Sequence, residues 1–237
     1  MSEPLLEMVG VEKDYHTLRP LRVQQLAVRP GDVFSISGID MLGAETFVHL
    51  VTGAALPDAG DVTLFGRNTR AITDSEAWLT SLDGVGMITA RGILIEAFTV
   101  LQNIALSLTL TVDPVDPRVI PQAGALARDA GIADNLFDVP AGKTAPDIKM
   151  RVHLARALAL GPKLLIAEHP SAPLSRESVA GFGGDLGNVA RTRGLGLIAI
   201  TADDSLAKAI GGARLELEAA TGELRPHSRI RRFFGKK

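Results

Sequence analysis

The sequence predicts an α/β fold on a parallel sheet, with a β-rich front and a helix-rich middle. Three observations carry this expectation. Leu164-Leu165-Ile166-Ala167 and the run 197–200 are continuous apolar stretches of strand length, the pattern of strands buried on both faces. Helical patterns alternate with these strands in the second half, as parallel sheets with crossover helices require. The first third instead alternates short β-rich runs with turn residues.

In chain order, 5–11 and 21–28 read as strands, and Pro30-Gly31-Asp32 as a turn. The run 33–37 is a short strand that leads into a glycine-bearing loop. A helix follows over 44–52 and stops at Gly53, a residue that ends helices without steric penalty. Pro57-Asp58-Ala59-Gly60 turns into a strand over 61–65. Helices are expected over 100–110, 118–130 and 149–160, the last stopped by Gly161-Pro162. The stretch 176–193 is helical in pattern although four glycines weaken it. Trp78 is expected to anchor a helix in the core, and Asp203-Asp204 to cap one. Front and middle form two lobes of one unit, so 1–237 is read as a single domain with a helical lobe over about 90–154.

Composition narrows the function classes. The 237 residues are 46% hydrophobic and 22% charged, an ordinary globular balance. The absence of cysteine excludes disulfides, thiolate metal sites and a cysteine nucleophile. A net charge of −2 argues against a nucleic-acid partner. The stretch 225–237 is a basic tail with no acidic residue, and without it the chain holds 19 basic against 27 acidic residues. Phe233 and Phe234 lie among those basic residues. The tail reads either as a frayed terminus or as a docking peptide for acidic lipid head groups or an acidic partner. The opening Met1-Ser2-Glu3-Pro4 lacks the layout of a secretory leader. The most apolar long stretch, 94–112, is interrupted by Glu96, Gln102 and Asn103. The expected location is cytoplasmic, peripheral to the inner face of the membrane if a membrane is involved.

Gly38-Ile39-Asp40-Met41-Leu42-Gly43-Ala44-Glu45-Thr46 has the frame of a phosphate-binding loop between an apolar strand and a helix. Arg151-Val152-His153-Leu154-Ala155-Arg156-Ala157-Leu158-Ala159-Leu160 and the strand after it resemble the helix and second-motif strand of ATP-binding-cassette (ABC) nucleotide-binding subunits. Val85-Gly86-Met87-Ile88, Thr99-Val100-Leu101-Gln102-Asn103-Ile104 and Leu56-Pro57-Asp58-Ala59-Gly60-Asp61-Val62 resemble further framework segments of that family. The resemblance spans about 5–225 in the family's order. It implies a P-loop NTPase-like ABC cassette fold and, as ancestral task, ATP-driven transport with membrane permease subunits.

The resemblance also assigns positions. Tyr15 falls where an aromatic stacks on adenine, and Gly38, Gly43 and Thr46 keep the loop's frame. Ala44 replaces the phosphate-binding lysine and Glu45 the magnesium-binding hydroxyl. Ala90 falls at the glutamine of the glutamine loop, and Thr144-Ala145-Pro146-Asp147-Ile148 at the signature loop. Glu168 stands at the second-motif aspartate, His169 at the catalytic glutamate and Ala202 at the switch histidine. Losing a charge-assisted hydrogen bond costs roughly 1.5–3 kcal/mol. A carboxylate about 5 Å from a phosphate charge adds roughly 3 kcal/mol of repulsion at an effective dielectric near 20. Together these imply ATP binding weakened about 1000-fold or more, with magnesium held weakly by Glu45 at best. Pro146 has no N–H to offer a partner's phosphate.

Plainer readings stand beside these. Tyr15 also reads as a half-buried strand residue, and His169 as a sheet-end histidine paired with Glu168 rather than a general base. His153 reads as a packing residue rather than a metal ligand, and no metal site is expected. The leading expectation is a degenerate cassette subunit that hydrolyses ATP poorly or not at all and serves a structural or regulatory role. Its partners would be a second cassette, in a homo- or heterodimer, and membrane permease subunits. The alternatives are an atypical but active ABC ATPase energising transport, and a scaffold or binding module that no longer binds nucleotide.

Overall fold

The computed structural model describes residues 3–72, 74–89 and 91–227. The chain opens with β1 (Leu6–Lys13) and β2 (Leu21–Val28), which pair antiparallel. β3 (Val33–Ser37) enters the second sheet and feeds α1 (Met41–Thr52). The chain returns to the front sheet through β4 (Ala59–Leu64) and β5 (Arg67–Asn68). There follow α2 (Ser75–Leu82), β6 (Val85–Thr89), α3 (Val100–Ala105), α4 (Ile120–Asp129) and α5 (Pro146–Ala157). The last part holds β7 (Leu164–Glu168), α6 (Arg176–Arg193), β8 (Gly196–Ile200), α7 (Asp204–Ile210), β9 (Ala213–Leu217) and β10 (Leu224–Pro226). The front sheet has the order β2-β1-β4-β5 and the central sheet β10-β9-β3-β8-β7-β6. Pairings among β9, β3, β8, β7 and β6 are all parallel.

The apolar runs separate two cores. Leu164, Ile166, Ile198 and Ile200 face the core shared with α1 and the front sheet. Leu165, Ala167, Leu197 and Ala199 face the core shared with α3 to α7. Successive side chains of a strand point to opposite faces, so a strand covered on both sides must be apolar at every position. That is why these runs show no alternation.

Several boundaries differ from the sequence expectation, each for a local reason. α1 begins at Met41, because Asp40 caps it. α3 ends at Ala105, short of the expected 110; Gln102 Nε2 donates to the Val112 carbonyl at 2.9 Å, holding a chain that has already turned back. α5 starts at Pro146, whose fixed φ suits a first helical turn. Two of the four glycines of α6, Gly183 and Gly187, serve packing against α7. A Cβ on Gly187 would lie 2.2 Å from the Ile210 carbonyl oxygen, so the glycine permits close contact between α6 and α7. Trp78 is half-buried on α2, a helix with no fully buried residue, and its Nε1 donates to the Thr52 carbonyl at 2.8 Å. It tethers a surface helix and does not sit in the core. The basic stretch read as a tail from 225 starts inside the sheet: Arg225 and Pro226 belong to β10 and face Glu216 and Leu215 of β9. The part of that stretch beyond residue 227 lies outside the described residues.

Candidate active site

The expected site residues converge on the carboxyl ends of the central strands, where open α/β sheets form their crevices. Gly38 leaves β3 with φ +86, and a Cβ there would stand 2.4 Å from the Leu217 carbonyl oxygen. Only glycine allows this exit beside β9. The next residues do not form an open loop. Asp40 Oδ1 accepts from the Gly43 N–H at 2.7 Å, and the Asp40 carbonyl accepts from the Ala44 N–H at 2.8 Å. Helix N-termini carry orphan N–H groups that an anion can satisfy. Here the chain's own carboxylate takes one of them.

Ala44 is 0% exposed and packs into the core beneath the front sheet. Thr46 is buried, and its hydroxyl donates back to the Leu42 carbonyl at 2.9 Å. Tyr15 follows β1 rather than lying in a strand, which corrects that reading. It lines a groove with Leu18, Pro20, Gly38, Ile39 and Asp40.

Glu45 and Glu168 share one partner that the family frame does not supply. Arg91 Nη1 lies 2.6 Å from Glu45 Oε2, and Arg91 Nη2 lies 2.6 Å from Glu168 Oε2. The Arg91 hydrogen bond, helped by its charge and opposed by partial burial, holds the Glu45 carboxyl below its usual range. Hydrogen bonds to Glu45 and then Glu168 outweigh desolvation and hold the Arg91 proton more tightly. Glu168 ends β7 at 4% exposed, and its Oε1 has no partner.

His169 was expected to pair with Glu168, and it does not. Its φ is 41, its N–H donates to the Ile200 carbonyl at 2.9 Å, and its Nε2 is buried without a partner. Glu168 is already engaged by Arg91, and the left-handed backbone at His169 turns the chain away from β7. Ala202 is exposed and offers only a methyl; the neighbouring Asp203 caps α7 through the N–H groups of Ser205 and Leu206, as expected. Ala90 lies outside the described residues. Pro146 and Asp147 open α5 beside Gly92, Ile93 and Pro173, and no side chain caps that helix.

His153 on α5 packs against Gly92, where a Cβ would lie 2.7 Å from His153 Cε1. Burial, with help from Arg156, pushes its pKa down to about 4. It is a neutral packing residue, not a proton carrier, at neutral pH. Among the described residues no group of three or more His, Asp and Glu side chains could hold a metal ion. None of the described helices is long and apolar enough to cross a membrane.

Sequence reasoning missed two residues of this site. Asp40 has no assigned role in the sequence reading, although an Asp three residues before a glycine amide at a helix start is a capping signal. Arg91 had one signal: two acids at positions the family gives to neutral or metal-bound groups need a cation, and a basic residue sits beside the glutamine position.

No family model matches the chain. It is 30% identical over 212 residues to the lipoprotein-releasing system ATP-binding protein LolD 2 of Caulobacter vibrioides, covering 88% of this chain and 92% of that protein. It is 28% identical over 200 residues to the methionine import ATP-binding protein MetN of Brucella abortus, covering 84% of this chain and 53% of that protein. Two solved structures share the fold: CbiO1 from Clostridium perfringens, with TM-score 0.76, 18% identity and coverage of 94% and 88%, and the dimeric ATP-binding cassette MJ0796 bound to ADP and Pi, with TM-score 0.72, 20% identity and coverage of 96% and 100%. With 30% identity to LolD 2 across most of both chains, the chain belongs to the ATP-binding-cassette family of transporter subunits.

Proposed function

We propose that this chain is a cassette subunit that supports an ABC transporter without binding or hydrolysing ATP effectively. The observation that carries the reading is the Glu45–Arg91–Glu168 cluster. In the family frame its two carboxylates stand where a hydroxyl and an aspartate serve a magnesium ion, and here a guanidinium lies between them. The loop supports the same reading. Asp40 occupies the Gly43 amide, and Ala44 is sealed in the core where a lysine should reach out. A phosphate entering this site would meet Asp40 with no lysine to offset it, and the one nearby guanidinium, Arg91, is already committed to Glu45 and Glu168. The residues therefore do not fit Mg-ATP.

On this reading the chain works at the inner face of a membrane, beside a second cassette and permease subunits. Its own contribution is shape, since it has the fold but not the phosphate grip. With Pro146 lacking an N–H and Asp147 adding a charge, it offers a partner's site no better signature than its own loop offers nucleotide. The test is a calorimetric titration with Mg-ATP together with phosphate release from purified full-length protein. The expected result is no binding heat at sub-millimolar nucleotide and no turnover above a denatured control. Steady turnover that disappears in His169→Ala would replace this reading with that of an atypical ATPase.

A further inference from the structure

Residues 91–95 leave β6 and head for α3 as a strap tied on two sides. At its start Arg91 reaches Glu45 on α1 and Glu168 on β7. Gly92 lies under the His153 ring of α5. The Ile93 carbonyl accepts from Arg156 Nη1 of α5 at 2.9 Å. Ile95 and Asn103 of α3 bond twice: the Ile95 N–H donates to Oδ1 at 2.9 Å, and Nδ2 donates to the Ile95 carbonyl at 3.0 Å. The tie from this segment to α1 and β7 is ionic; the Arg91 and Gly92 N–H groups donate to the Thr89 hydroxyl and carbonyl of β6 at 3.2 Å each, and the ties to α3 and α5 end on backbone groups or on packing.

The charges of the cluster do not balance. Two carboxylates share one guanidinium, and a buried carboxylate oxygen, Glu168 Oε1, is left without a partner. A buried carboxylate requires a countercharge. We propose that Arg91 is a built-in countercation: it takes the place a soluble divalent ion would fill between α1 and β7, and it holds the 91–95 strap on the core whether or not any ligand is present. This deepens the reading of a nucleotide-independent cassette and rests on it. It concerns the metal and the strap alone, so it can fail while the absence of ATP turnover stands.

Removing Arg91 then exposes a carboxylate pair with no resident cation. Trp78, the chain's single tryptophan, lines the same cavity of about 340 Å³ as Arg91 and Glu168, so its emission reports on the cluster. Full-length wild type, Arg91→Ala and Arg91→Ala/Glu45→Gln are titrated with MnCl2 without nucleotide. The expected result is Mn²⁺ binding at least about tenfold tighter in Arg91→Ala than in wild type, and lost again in the double variant, because the guanidinium no longer opposes the ion. A wild type that binds Mn²⁺ as tightly as Arg91→Ala overturns the proposal. A second measurement needs no variant. Amide hydrogen exchange of 91–95 in wild type should rise about threefold or more between low and high salt, as screening weakens a half-exposed ionic tie, while exchange in β7 stays unchanged. Exchange of 91–95 indifferent to salt overturns the proposal even if Arg91→Ala does not fold.

Discussion

At the N-terminus of α1, the groups around the loop find their partners within four residues, and only Glu45 reaches further, to Arg91. Asp40 takes the Gly43 and Ala44 N–H groups through its carboxylate and carbonyl, and Thr46 returns its hydroxyl to Leu42. At the end of β7, Glu168 has no such neighbour. Its partner is Arg91, 77 residues earlier, and one of its oxygens and the His169 Nε2 are left without partners. The two regions line separate grooves, Asp40 with Tyr15 and Glu168 with Trp78, and Arg91 joins them through Glu45. One has closed on itself, while the other is held by a distant side chain and has unmet hydrogen-bonding capacity. A locally satisfied end should resist conversion into a ligand site, and an end held by one remote cation should be altered by removing that cation.

The sharpest way to break this comparison is to restore the family's residues at the closed end. Ala44→Lys with Glu45→Ser should not recover Mg-ATP binding, because Ala44 is 0% exposed within the core and Asp40 still occupies the Gly43 amide. Forcing a lysine into that space should cost about 3 kcal/mol or more. Urea unfolding and calorimetry read the two effects, and a stable double variant that binds Mg-ATP would show that the loop is open after all.

The next largest effect belongs to the other end. Arg91→Ala leaves Glu168 charged and buried, at 4% exposed. We expect a loss of about 2 kcal/mol in chemical denaturation, less than the roughly 3–5 kcal/mol of a fully buried pair, because the Arg91 side chain is 45% exposed. Glu168→Gln in the same background should return most of that loss. If Arg91→Ala is as stable as wild type, the pair contributes nothing and the comparison fails at this end.

Asp40→Ala should be milder, about 1 kcal/mol, the usual worth of an N-cap. It frees the Gly43 amide, so any affinity for inorganic phosphate should rise in this variant and not in Arg91→Ala. A phosphate titration followed by thermal shift separates the two.

At neutral pH the smallest effect is that of His153, which acts only as a pH limb on acidification. Its folded pKa of about 4 lies below the ordinary 6.5, so between those values the unfolded chain binds a proton that the folded chain does not. Its contribution to stability is therefore complete above pH ~6.5 and declines as pH falls towards ~4. Glu45 acts in the same direction at lower pH. Its folded pKa is depressed, so its stabilising contribution is present above its unfolded value and is lost as pH falls through the folded one. His153→Gln should flatten the limb between pH 6.5 and 4 in a pH series of thermal midpoints. An unchanged limb would assign it to other groups.

The strands with continuous apolar runs were legible because burial on two faces leaves no choice of residue, as at Leu164 to Ala167. The bounds of β2, β3 and α6 were read as they stand, since turn residues or helix caps mark both ends of each. β9, β10 and the length of α3 were not legible. Their short or half-exposed sequences are decided by pairing with β3 and by the Gln102 bond to Val112. In the site, the residues at 44, 45, 168, 169 and 202 were visible by position, but the partners each of them finds were not.

By itself the sequence determined the α/β order and carried the resemblance to the family, because apolar strand runs and helix stops are constrained locally. Only the tertiary structure decided that Asp40 closes the loop, that His169 does not pair with Glu168, and that Arg91 bridges Glu45 and Glu168. Which charge meets which across 46 and 77 residues depends on how β6, β7 and α1 are stacked, and no local pattern encodes that distance.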